Sequence, residues 1–241
     1  MRFVLDYWLL AALLLLAVFA GGRAWLRDHP EHDPWSPLSP TDDPEGWATK
    51  SKIAGIRDDP AECRAFLQRS DIEFTPLDPT GAGACRREDR QVLAAEQDLG
   101  LVLRPSRPQA TCAVGAGLAR WLQHGVQPAA ESLLGVRVEA IEHYGTNNCR
   151  RIGGGETGSW SEHATGNAID IAAFVLEDGR RIVVRRDWAE GDAAAAFLQI
   201  ARDTACHEFS TVLSPDYNAA HADHLHLDQA QRGGMGWTFC R

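Results

Sequence analysis

Apolar and polar positions divide the chain into three parts. Residues 7–22 (YWLLAALLLLAVFAGG) form an unbroken apolar run behind Arg2, and Arg23 ends it. The run is short for a bilayer span of about 20 residues. It is at the long end for a signal-peptide core of about 7–15. It predicts an export signal or N-terminal anchor over residues 1–26, with Val18-Phe19-Ala20 as a possible cleavage position. Over residues 27–58 apolar positions thin out and Pro, Asp, Glu and Ser dominate, as in DHPEHDPWSPLSPTDDPEGW. That composition predicts an extended, mobile linker, in which His29 and His32 beside their carboxylates are solvated.

Periodicity returns at Asp59, so the folded domain is expected over 59–241. Asp59-Pro60 places an N-cap before a proline at the first helical position, with Cys63, Phe66 and Leu67 on the helix that follows. Thr111 caps a second helix bearing Leu118, Trp121 and Leu122, and Gln127-Pro128 opens a short third. Val136–Ile141 and Ala168–Leu176 read as strands. Asp178-Gly179 is a hairpin turn returning through Arg181–Arg185. Asp192–Cys206 is an Ala-rich helix with Phe197, Ala201 and Ala205 on one face. Phe209–Leu213 and His224–Leu227 are further strands. Hairpins beside segregated helices predict an α+β domain, an antiparallel sheet with helices packed on one side.

Composition narrows the function. The chain has 241 residues, 44% hydrophobic and 24% charged, as in a globular protein. A net charge of −9 argues against a nucleic-acid partner, which needs a basic face. It also argues against a polybasic membrane-surface protein. Six cysteines, Cys63, Cys85, Cys112, Cys149, Cys206 and Cys240, contain no Cys-x-x-Cys pair. In an exported chain they read as three disulfides. The expected pairing is Cys63–Cys85, Cys112–Cys149 and Cys206–Cys240.

Two segments concentrate chemistry: Ser161-Glu162-His163-Ala164-Thr165-Gly166-Asn167-Ala168-Ile169-Asp170 and His221-Ala222-Asp223-His224-Leu225-His226-Leu227-Asp228. In a strand, side chains alternate, so His224, His226 and Asp228 share a face while Leu225 and Leu227 face the core. A turn at Gly166 can fold His163 back over the strand holding Asp170. If the two strands are neighbours, His163, Asp170 and His226 converge as two imidazoles and one carboxylate. That donor set fits catalytic zinc, which takes three protein ligands and keeps a fourth position open. Structural zinc favours four ligands, mostly cysteine, and the cysteines here are scattered.

The pattern S-x-H-x-x-G-x-A-x-D followed by H-x-H resembles the LAS metallopeptidases. These include D-alanyl-D-alanine carboxypeptidases and dipeptidases, peptidoglycan endopeptidases and the Hedgehog amino-terminal domain. More closely, Ser161–Asp170, Trp188 and His221–Asp228, with scattered cysteines, are similar to the extensin-like C-terminal domain family of bacterial envelope proteins. The resemblance runs over about residues 63–241. It implies a LAS-like fold and zinc (Zn²⁺) held by His163, Asp170 and His226. It implies that His224 stabilises an oxyanion. It offers Asp223 or His221 as general base, since relatives use one or the other. Arg150, and Ser161 in the motif itself, are the substrate-side candidates. It further implies hydrolysis of peptidoglycan stem or cross-link peptides at a periplasmic or cell-envelope location. The competing expectation is a zinc-stabilised binding or scaffolding module without turnover, as the Hedgehog domain exemplifies.

Overall fold

The computed structural model describes residues 2–93, 100–232 and 237–241. Its elements are α1 (Arg2–Asp28), α2 (Thr49–Asp58), α3 (Pro60–Arg69), β1 (Phe74–Pro76), β2 (Gln91–Leu93), β3 (Val102–Arg104) and β4 (Gln109–Ala110). There follow α4 (Cys112–Trp121), α5 (Gln127–Leu134), β5 (Val138–His143), β6 (Ala168–Leu176), β7 (Arg181–Val183), α6 (Val184–Asp187) and α7 (Ala193–Glu208). The chain ends with β8 (Thr211–Leu213), β9 (Leu225–Asp228) and β10 (Phe239–Cys240).

The α+β class holds, but the sheet is mixed where an antiparallel one was expected. Seven strands run β10-β8-β9-β6-β5-β3, with β7 also on β6. The central pairs β8–β9, β9–β6, β6–β5 and β6–β7 are antiparallel, while β10–β8 and β3–β5 at the two edges are parallel. The edge strands enter by long connections, which impose no hairpin direction. A small antiparallel sheet, β1-β2-β4, stands apart.

Caps set the helix starts. The Asp59 carboxylate accepts from the Ala61 and Glu62 amides, the Thr111 hydroxyl from Val114, and the Asp192 carboxylate from Ala195. Helices α4, α5 and α7 cover one sheet face. Trp121, Phe197 and Phe209 of this layer meet Ile169, Ile171, Phe174, Leu225 and Leu227 in one core. Trp188, part of the family-like pattern, belongs to this core too, with its indole N–H donating to Asp216 at 2.9 Å.

A β-bulge organises β6. His143 pairs with Ile171 but Glu142 with Ala173, so Ala172 is the extra residue. Before the bulge the odd positions Ile169 and Ile171 face the core; after it the even positions Phe174 and Leu176 do. The first half of β6 can therefore turn Asp170 away from the core while the second half keeps its apolar residues buried.

Residues 29–58, expected as a mobile linker, are folded. Leu38, Ile53 and Ile56 join Cys63, Phe66, Leu67 and Cys112 in a second core. The polar residues of the segment find partners instead of solvent. Buried Lys52 Nζ pairs with Asp42 at 2.9 Å. Buried Arg120 pairs with Glu208 at 2.7 Å and donates to the carbonyls of Ser39 (2.8 Å) and Asp42 (2.9 Å). Proline and acidic content imitates a linker in sequence because the Arg120 side chain that satisfies its carbonyls lies 78–81 residues away.

Breaking that ion pair from one side leaves a charge buried without its counterion. Glu208→Ala is therefore expected to cost about 3–5 kcal/mol, measured by urea denaturation. A cost below 1 kcal/mol would mean the pair does not hold the segment down.

All six cysteines are bridged, as Cys63–Cys112, Cys85–Cys149 and Cys206–Cys240. Only the last matches the expected pairing. Cys63 on α3 meets Cys112 at the start of α4 because those helices pack in the second core. Cys85 instead reaches the loop after β5. The apolar α1 and three disulfides together point to a domain folded outside the cytoplasm, with α1 as signal or anchor.

Candidate functional site

Register brings the two chemical segments together. In the β6–β9 ladder Asp170 lies directly opposite His226, and Ile169 opposite Leu227. The leucines and isoleucines fill the core, so the carboxylate and imidazole share the other face. His163 arrives from a 3-10 turn, Glu162–Ala164, whose start is capped by the Ser161 hydroxyl accepting from the His163 amide at 3.3 Å. The turn ends at Gly166, where φ is +76° and an added Cβ would come within 2.8 Å of the Arg87 guanidinium. The left-handed backbone favours glycine there. Asn167 then ties the turn down: its amide donates to Glu162 (2.6 Å) and its carbonyl accepts from Thr111 (2.8 Å).

The result is a tight cluster. His163 Nε2 is 3.1 Å from Asp170 Oδ1 and 3.2 Å from His226 Nδ1, and His226 Nδ1 is 2.9 Å from Asp170 Oδ1. All three residues are buried. Their outer partners fix which ring nitrogens carry protons. His163 Nδ1 lies 3.2 Å from the Thr146 carbonyl, and His226 Nε2 lies 3.0 Å from Asp228 Oδ2. Carbonyl and carboxylate only accept, so those nitrogens donate. Asp228 is itself held by the Ala230 amide at 2.9 Å. With both imidazoles neutral, each would direct its lone pair at Asp170 Oδ1 and three acceptors would meet with no donor between them, so either a second proton on a ring or a cation must fill the gap.

Such a meeting demands positive charge, and the electrostatics of the cluster favour it. Burial disfavours the His226 imidazolium, but hydrogen bonds to Asp170 and Asp228 outweigh it and raise its pKa to about 9. Burial likewise pushes the Asp170 carboxyl up, and hydrogen bonds from His163 and His226 reverse this, holding it well below the usual carboxylate range. A tetrahedral ion with ligand bonds of 2.0–2.1 Å sets its ligand atoms roughly 3.3 Å apart. The observed 2.9–3.2 Å separations are close to that, so the donor set fits zinc.

The remaining predicted residues surround this cluster. His224 Nε2 lies 3.5 Å from Asp170 Oδ1, and its Nδ1 donates to Asp223 at 2.8 Å. Asp223 also hydrogen-bonds Tyr144, whose phenol is raised by burial first and then by this carboxylate. Strand β9 starts only at Leu225, so Asp223 escapes the alternation that would have turned it away. The His221 ring centroid is 5.2 Å from that of His224 and 5.9 Å from that of His226. Its Nδ1 donates to Asn218 at 2.8 Å, which leaves Nε2 as its open acceptor. Burial, then His224 and His226, lower the His221 pKa to about 4. A cleft of about 390 Å³ opens in front of the cluster, lined by Arg150, Trp160, Ser161, Tyr217 and the four histidines.

The family model for the C-terminus of extensin-like proteins matches residues 61–241. The chain belongs to that family. The match runs from α3 to the last strand and takes in all three disulfides and the whole cluster, while α1 and α2 precede the extensin-like domain. Neither a curated protein nor a solved structure matches the chain.

Three groups of the extensin-like site escaped sequence reasoning, and a fourth, Asp228, was placed on the His226 face without a role. Thr146 acts through its backbone carbonyl, which has no side-chain signature. Asn218 and Tyr144 approach from turns whose proximity is tertiary. Asp228 had a signal: it lies two residues beyond His226 on the same strand face. The Cys85–Cys149 bridge adds another tertiary link, since it fastens the loop that carries Thr146. That loop also holds the His163 turn, with the Asn148 amide donating to the His163 carbonyl at 2.9 Å.

Proposed function

We propose that the extensin-like domain is a zinc metallopeptidase of the cell envelope, acting in the periplasm on the stem or cross-link peptides of peptidoglycan. The observation that carries this reading is the convergence of two imidazole lone pairs and one carboxylate oxygen at a point that faces a cleft. His163 Nε2, Asp170 Oδ1 and His226 Nδ1 would hold the ion, with Thr146 and Asp228 orienting the rings. Zinc held by three protein groups supplies a Lewis acid and lowers the pKa of water to about 7.

The chain's own groups account for the remaining tasks. His221, with Nε2 open, or Asp223 would take the proton from the attacking water and return it to the leaving amine. The Nε2 edge of His224, backed by Asp223, would hold the developing oxyanion. Arg150, in the cleft wall, would meet a carbonyl or carboxylate of the substrate peptide. The resemblance to LAS peptidases, the extracytoplasmic setting and the acidic net charge support a peptide substrate of the wall over a polyanion.

The test is digestion of purified muropeptides with the zinc-loaded protein, read by mass spectrometry. The expected result is loss of a terminal residue or opening of a cross-link, abolished by a chelator and restored by Zn²⁺. Stoichiometric zinc with no cleavage of any muropeptide would replace this reading by that of a zinc-stabilised binding module.

A further inference from the structure

The N-terminal helix is joined to the domain by folded structure. Helix α1 continues without a break to Asp28, and the His29 amide still donates to the Trp25 carbonyl at 3.0 Å. The Trp25 ring stacks on His29 (4.4 Å) and on His32 (5.3 Å), and His32 stacks on Trp47 at 6.4 Å. The Trp47 amide donates to His32 Nδ1 at 3.2 Å, and the Ala48 amide to the Glu31 carbonyl at 3.1 Å. The same segment is pinned from inside by Lys52 and Arg120. Residues 25–48 therefore form a rigid collar between α1 and the domain.

The helix and its flanking rings match the dimensions of a bilayer. Within helix residues 7–28 an 18-residue window has a mean hydropathy of 2.0 and is unburied by protein, and the charged residues Arg23, Arg27 and Asp28 fall at its Trp25 end. Tyr7 and Trp8 stand at one end and Trp25 at the other. Trp8 and Trp25 are separated by about 26 Å of helix, close to the roughly 30 Å hydrocarbon core. Tryptophan and tyrosine favour the two edges of that core. Beyond Trp25 the collar presents two more exposed tryptophans, Trp35 at 77% and Trp47 at 62%. Large exposed aromatic rings on an acidic protein surface have no polybasic attraction to lipid behind them, so the helix itself must supply the attachment.

We propose that α1 is a retained membrane anchor and that the collar, through Trp25, Trp35 and Trp47, seats the domain directly on the lipid interface. The possible cleavage position at Ala20 lies inside the helix, five residues before Trp25, within the span that the aromatic ends delimit. This inference is independent of the metal reading, because it uses none of the cleft residues.

Two measurements on the full chain test it. Intact-mass analysis of protein extracted from membranes of producing cells should find residues 2–20 present; a chain starting at Gly21 would overturn the anchor. For the collar, a W8F variant is reconstituted into phosphatidylcholine vesicles carrying brominated acyl chains. Bromine quenches tryptophans at the interface, and the collar tryptophans should supply most of the quenchable emission. Adding W25F, W35F and W47F should reduce the quenched fraction at least threefold, whereas adding W160F should leave it unchanged. Retained blue emission from buried Trp121 shows that each variant is folded. Equal quenching with and without the collar tryptophans would overturn the seating of the domain on lipid.

Discussion

His226→Ala should abolish zinc binding by the domain while leaving its secondary structure intact. His226 is the residue through which both shells of the cluster connect: Nδ1 meets Asp170 and His163, and Nε2 donates to Asp228. Removing it leaves two ligands, too few for a tight zinc site, and strands the Asp228 carboxylate. Elemental analysis should fall from about one zinc per chain to background, and cleavage of muropeptides should fall with it. Asp228→Asn provides the graded companion. It keeps all three ligands but loses the carboxylate that orients the His226 ring, so zinc affinity should drop by about 10–100-fold. Far-ultraviolet circular dichroism should be unchanged in both, since Leu225 and Leu227 on the opposite face of β9 keep the strand in the core. Full zinc in His226→Ala would sink the ligand assignment.

The second large effect separates the two candidate bases. His221→Ala should retain zinc and lose about 10²–10⁴ in turnover. Asp223→Asn should lose less. The reason is occupancy: Asp223 is committed to His224 Nδ1 and to Tyr144, whereas His221 has one ring nitrogen fixed by Asn218 and the other open. Asp223→Asn can still hold the His224 ring through its carbonyl oxygen, so geometry survives. His221→Ala leaves the water without an acceptor on that side. Turnover on a defined muropeptide, with zinc content measured on the same samples, decides between them. If Asp223→Asn proves the more damaging with zinc retained, Asp223 is the base and His221 a neighbour. If neither variant changes turnover, water is not activated by this pair.

Local chemistry made much of this legible in the sequence. Caps at Asp59, Thr111 and Asp192 act within three residues, so their helices could be placed from the sequence alone. Strand alternation is a covalent property of the backbone; it put His226 and Asp228 on one face and Leu225 and Leu227 on the other before any partner strand was known. The Gly166 turn, and the convergence of His163, Asp170 and His226 on the condition that their strands are neighbours, were expected from spacing of the same kind. Tertiary structure decided the rest, because the deciding partners are distant along the chain. The disulfides depend on which helices and loops pack, so Cys63 found Cys112 across 49 residues, where Cys85 had been expected. The acidic, proline-rich stretch looked like a tether until Arg120, itself paired with Glu208, reached its carbonyls from the far side of the second core. The parallel edges of the sheet arise from long connections that carry no direction in their residues. The hydrogen bonds that aim both imidazoles at Asp170 come from Thr146 and Asp228. The first acts through a bare carbonyl that only the folded loop brings to His163; the second shares the His226 strand face, and the ring orientation set by Asp170 and His163 is what turns Nε2 toward its carboxylate.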